Sequence, residues 1–156
     1  MNVKTLLIGV LGLAAACSSG ENKPAPGPAE EPVAEITDHS RRFPSRGRLK
    51  MELVENHVMG KAFLPGGNVC EYERGSETYY LFAIETRDAT TASILLFEYS
   101  GELSDSKYLA HMGGYFGIDN GQPTLVLAKQ KWLAGVVGLS ERDADAAARD
   151  LASRLD

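Results

Sequence analysis

Between Ser18 and His39 the chain carries Pro24, Pro26, Pro28 and Pro32 among Gly, Ala and five acidic residues. No regular element runs through that spacing. Each proline removes a backbone donor and fixes φ, which excludes a helix interior and a central strand alike. With little apolar surface to offset its ordering entropy, the stretch is expected to be a disordered, partly polyproline tether spanning 17–39. Folding is thereby confined to residues 40–156. These hold sixteen acidic against fourteen basic residues and form a nearly neutral segment long enough for one core.

Ahead of the tether, Lys4 precedes an apolar run from Leu6 to Ala16, and small residues lead into Cys17. This is the layout of a cleaved export signal over 1–16. The run is about half the roughly 20 apolar residues a membrane helix needs. Leu13-Ala14-Ala15-Ala16-Cys17-Ser18 resembles the lipobox of bacterial lipoproteins, although Ala14 stands where that family usually has Leu. The resemblance implies cleavage before Cys17, lipidation of its thiol and acylation of the new amine. It also implies a cell-envelope protein held to the membrane by its lipid. Ser18, rather than Asp, after the cysteine implies the periplasmic face of the outer membrane.

The chain has two cysteines. If Cys17 carries lipid, Cys70 is left without a partner in its own chain, and no disulfide framework is expected. Its neighbours Glu71 and Glu73 are acidic, a poor setting for a thiolate nucleophile. Arg41, Arg42, Arg46 and Arg48 follow the acidic tether and are candidates for contact with an anionic surface such as lipid headgroups or cell-wall polymers. The competing reading is a solvated entry into the domain. The near-neutral balance gives no basic face for a nucleic-acid partner.

Within 40–156 the patterns alternate between strands and helices. Met51–Val54 and Val58–Leu64 are short apolar runs of uncertain type, and Pro65-Gly66-Gly67-Asn68 signals a turn. Val69–Glu73 and Thr78–Arg87 read as two strands. Asp88–Gly101 reads as a helix, because Ala92, Leu95, Leu96 and Tyr99 share a face and Asp88 can cap it. Lys107–Gly117 reads as one strand, Asp119-Asn120-Gly121 as a tight turn, and Thr124–Ala128 with Trp132–Val137 as a hairpin. The last helix starts at Ser140, with Ala144, Ala147, Ala148, Leu151 and Leu155 on one stripe. The order predicts an α+β class: a single small domain with a mainly antiparallel sheet and two helices packed on one face. The stretch from Tyr79 to Leu155 loosely resembles small envelope domains of unknown function, and no catalytic residue comes with that resemblance.

No nucleophile elbow, phosphate loop, dinucleotide fingerprint or zinc-helix motif is present in the sequence. His39, His57 and His111 lack ligand spacing, so neither a metal nor a cofactor is expected. Gly113, Gly114, Tyr115 and Phe116 are candidate binding residues, since glycines let a ligand approach the backbone, and Trp132 is a candidate aromatic platform. Each has a plain alternative, a strand bend for the glycines and a core position for Trp132. The reading is a membrane-anchored envelope lipoprotein of unknown activity, more a binding or assembly module with an envelope-protein or cell-wall partner than an enzyme. The alternatives are a small envelope enzyme pairing Cys70 with a histidine and a solute-binding lipoprotein.

Overall fold

Leu81, Phe82, Ala83 and Ile84 are buried in succession, as are all six residues from Trp132 to Val137. Strands buried on both sides need cover on both sides, and that requirement sets the architecture. The computed structural model of the chain describes residues 36–156. The signal segment 1–16, Cys17 and the tether as far as residue 35 lie outside the described residues.

In chain order the elements are β1 (Arg48–Asn56), β2 (Pro65–Arg74), β3 (Glu77–Glu85), α1 (Ala89–Glu102), β4 (Ser104–Leu109), β5 (Gly114–Asp119), β6 (Gln122–Lys129), β7 (Trp132–Val137) and α2 (Glu141–Ala152). The strands make one sheet in the order β1-β2-β3-β7-β6-β5-β4, antiparallel throughout. The α+β class and the antiparallel sheet with two helices are as expected from the sequence.

The placement of the helices differs from expectation, for they lie on opposite faces. Leu81, Ala83, Leu125, Leu127, Trp132, Ala134 and Val136 alternate onto one face and pack with Ala144, Ala148, Leu151 and Leu155 of the α2 region. Phe82, Ile84, Val126, Leu133 and Val137 take the other face and pack with Leu96 and Tyr99 of α1. With both helices on one side, the second set would face water. Burying a single Leu- or Phe-sized side chain stabilises by about 1.5–3 kcal/mol, so the bare face would be costly.

Both helices begin as the sequence predicts. Asp88 accepts from the Thr91 amide at 2.8 Å and from the Thr91 hydroxyl at 2.9 Å, while Ser140 caps α2 by accepting from the Asp143 amide. At the far end of α2, Lys129 Nζ donates to the Ala152 carbonyl at 2.6 Å and Arg42 to the Arg154 carbonyl at 2.7 Å. Carbonyls that the helix cannot satisfy itself thus meet cations.

The expected single strand over Lys107–Gly117 is two strands. The Met112 and Gly113 amides both donate to the Leu109 carbonyl at 3.0 Å, and Gly113 takes φ +64, so the chain reverses between β4 and β5. The Asp119–Gly121 turn is as read, with Asn120 and Gly121 both at positive φ.

The end of the expected tether is also part of the fold. Ile36 Cδ1 lies so close to Gly66 that a Cβ there would come within 2.2 Å of it, and the His39 amide donates to Asn68 Oδ1 at 3.1 Å. The folded region therefore begins ahead of Ser40, because these residues find partners on β2 and β3.

Candidate functional site

The β4–β5 reversal delivers His111 beside α2. His111 Nε2 and Asp145 Oδ1 stand 2.5 Å apart, and Arg149, one turn further along the helix, donates to Asp145 Oδ2 at 2.8 Å. The hydrogen bond from His111, aided by the Arg149 charge, holds the Asp145 carboxyl below its ordinary range. Two hollows adjoin this trio. One of about 370 Å³ is lined by His111, Glu141, Arg142, Asp145 and Arg149. The other, of about 310 Å³, has Met112, Leu127, Ala128 and Ala152 as its floor and Lys129, Arg149, His111 and Ser153 around it. They share His111 and Arg149 and make an open groove between α2 and the β4–β5 reversal, apolar below, with Lys129, Arg142 and Arg149 beside Glu141 and Asp145 at the rim.

This groove suits reversible binding. An apolar floor with a few charged groups holds an extended segment by burial and orients it by charge. Among the described residues no hydroxyl or thiol hydrogen-bonds His111, whose ring nitrogen is engaged by Asp145, and Ser153 Oγ is turned to the Asp150 carbonyl at 2.7 Å.

The residues singled out from sequence fall around this groove and away from it. Gly113 makes the reversal, and Gly114 is a point of strand contact, where a Cβ would meet the Val126 carbonyl oxygen at 2.4 Å. Tyr115 turns to the α1 face beside Tyr108, with ring centroids 5.2 Å apart, while Phe116 turns to the α2 face. These four residues shape the hairpin that carries His111. Trp132 is fully buried and offers no platform to solvent. It lies beneath His39, edge-on with centroids 4.7 Å apart, and beneath the Arg42 guanidinium at 5.2 Å. The same clamp includes His39 Nε2 to Glu85 at 2.6 Å and a Lys131–Glu85 ion pair. Lys131 first and His39 second hold the Glu85 carboxyl below its ordinary range.

Of the four arginines, Arg42 is used internally, while Arg41, Arg46 and Arg48 are exposed. Cys70 is fully buried, and its thiol donates to the Met51 sulfur at 3.2 Å. Burial pushes its pKa up to about 11. His57 sits exposed on the loop after β1, and His111 on the turn between β4 and β5, at the other side of the sheet. Neither hydrogen-bonds the thiol, so the Cys70–histidine pairing considered from sequence is absent.

A second polar cluster was not foreseen. Lys61, in the loop after β1, is 7% exposed; its Nζ donates to Asp119 Oδ1 at 2.6 Å and to Glu102 Oε2 at 3.0 Å. The Tyr99 hydroxyl completes it, donating to Asp119 Oδ2 at 2.9 Å. Burial pulls the Lys61 pKa down, but Asp119 and Glu102 outweigh it and hold the ammonium above its ordinary range. The sequence carried one signal for it, a lone cation inside the apolar run Val58–Leu64. The His111–Asp145 pair had none, being 34 residues apart with no shared motif. No group of three or more His, Cys, Asp or Glu side chains that could hold a metal occurs among the described residues.

No protein-family model matches the chain, and no curated protein matches it. Among solved structures, a GTP binding regulator from Thermotoga maritima is similar at a TM-score of 0.53 and 15% identity, over 74% of this chain and 82% of that one. At that identity the likeness concerns the fold alone, an arrangement of sheet and helices that two dissimilar sequences share.

Proposed function

We propose that the chain is a lipid-anchored protein of the bacterial envelope, tethered on the periplasmic face of the outer membrane, whose domain works by binding an envelope partner. The observation that carries this reading is the state of the two cysteines. Cys70 is sealed in the core as a neutral thiol, which leaves Cys17, in the lipobox-like segment, as the cysteine for modification. The groove beside α2 supports the binding half of the reading. Its apolar floor and its rim of Lys129, Arg149 and His111 match an extended segment with apolar and acidic side chains.

The anchoring half is tested by mass spectrometry of the mature amino terminus from envelope fractions, with Cys17→Ala alongside. A diacylated, N-acylated Cys17 in the wild type and release of the variant from membranes are expected. An unmodified Cys17 and unchanged membrane retention of the variant would overturn it. The binding half is tested by photo-crosslinking from position 152 or 153 in intact envelopes. A discrete adduct that disappears in Arg149→Glu is expected; adducts unaffected by that change would place binding elsewhere.

A further inference from the structure

Among the described residues, no strand pairs with the outer rim of β1. Neither helix packs over it, since α1 lies across β5, β6 and β7 and α2 across β6 and β7. β2 is its strand partner among the described residues, and seven of its nine residues are exposed. Leu49 and Leu53 are 56% and 44% exposed, two of the large apolar side chains that the fold leaves in water. A long edge of this kind presents unpaired backbone donors and acceptors to any strand that fits.

We infer that β1 pairs antiparallel with β1 of a second copy of this chain, joining two sheets into one across a two-fold axis at Met51. The charges select this register. Lys50 and Glu52 share the α1 face with Val69, Glu71 and Tyr80, around a shallow hollow of about 250 Å³. Within one chain their side chains meet at 3.1 Å, and both are more than half exposed. In a two-fold antiparallel pair, opposed residues must point to the same face, so the axis passes through a residue.

With Met51 on the axis, Lys50 stands opposite the second copy's Glu52, and Glu52 opposite its Lys50. With Lys50 or Glu52 on the axis, a like charge faces itself, and with Leu53 on the axis neither charge finds its opposite. Lysine on an edge strand ordinarily discourages pairing. Here the acid two residues away turns the same charge into a complementary one when the strand meets its own copy, since opposite charges across a strand pair stabilise and like charges destabilise. The register shift between Arg48 and Lys50 ends the pairing at that side.

The inference rests on β1 alone and is independent of the lipid anchor, which the mass spectrum of the terminus reports separately. The test is sedimentation equilibrium of the full chain in density-matched detergent, for the wild type, Lys50→Glu, Glu52→Lys and an equimolar mixture of the two variants. Both positions are exposed, and circular dichroism checks that each variant is folded. The wild type is expected to dimerise. Each single variant is expected to weaken self-association by roughly ten- to a hundredfold, because two attractive pairs become repulsive. The mixture is expected to recover dimers, because a strand acidic at both positions then meets a strand basic at both, and each opposed pair is attractive again. A wild type that stays monomeric at all concentrations would overturn the inference, as would single variants that dimerise like the wild type or a mixture no more associated than its components.

Discussion

Replacing Lys61 by Met tests whether the ion cluster on the α1 face is as dry as its geometry implies. Lys61 and Asp119 are 7% and 8% exposed, and the carboxylate has two partners, the ammonium at 2.6 Å and the Tyr99 hydroxyl at 2.9 Å. Methionine matches the stem of lysine and preserves its packing, so the loss is electrostatic. Removing one member of a buried pair costs about 3–5 kcal/mol, because the other charge stays desolvated. The Glu102 contact adds little, since that side chain is 49% exposed and rehydrates; exposed pairs contribute about 0–1 kcal/mol. The expected loss for Lys61→Met is therefore about 3 kcal/mol, read as a fall in urea midpoint at neutral pH with an unchanged slope. Lys61→Met with Asp119→Leu removes both charges, and its loss is expected to fall well short of the sum of the single changes. That shortfall is the coupling a double-mutant cycle isolates. A loss within about 0.5 kcal/mol for Lys61→Met, or additive single changes, would refute the reasoning and show that water reaches the ammonium.

Three further outcomes follow from the packing. Gly135 lies opposite Phe82, whose ring atoms would be 2.4 and 2.5 Å from an added Cβ, so Gly135→Ala is expected to cost about 1–3 kcal/mol, with partial recovery when Phe82→Leu is added; thermal melts of the three variants check it. Cys70 remains a thiol in the fold up to a pKa of about 11 against an ordinary 9.0, so the unfolded chain ionises first. Stability is full below about pH 9 and is lost as pH rises towards about 11, by about 3 kcal/mol. The loss appears as a difference in pH slope between the wild type and Cys70→Ala, and equal slopes would contradict it. Trp132, the single tryptophan, is fully buried beneath His39 and Arg42, so acrylamide is expected to quench it weakly in the wild type and more strongly in His39→Ala with Arg42→Ala. Strong quenching of the wild type would return Trp132 to the surface role considered from sequence.

The legible parts of this fold are those whose cause is local. Asp88 and Ser140 announce their helices because a cap acts within three residues, and the α2 stripe is visible because only one side of that helix is buried. The α1 helix carries further apolar residues outside its packed face, with Ile94 54% and Phe97 74% exposed, yet the face its spacing marks, Ala92, Leu95, Leu96 and Tyr99, is the one that meets the sheet. The run from Leu81 to Ile84 is apolar at every position. Continuous apolar character means two covered faces, a requirement that two helices on one side do not meet.

The candidate site is harder to read for a further reason, which is that its polar groups are joined by topology. His111 reaches Asp145 because Gly113 turns the chain back and the β5-β6-β7 meander then brings α2 across the sheet beside that turn. Lys61 reaches Asp119 because the loop after β1 and the end of β5 both come to the α1 face, although four strands lie between β1 and β5 in the sheet. Neither pair leaves a spacing in the sequence. A lone charge inside an apolar run does leave a trace, since burial of an unpaired ammonium is too costly to persist and implies a distant partner. Lys61 between Val58 and Leu64 is such a charge. Read that way, the run predicts an acid arriving from elsewhere in the fold, and Asp119, already marked by the turn it opens, is the carboxylate that arrives.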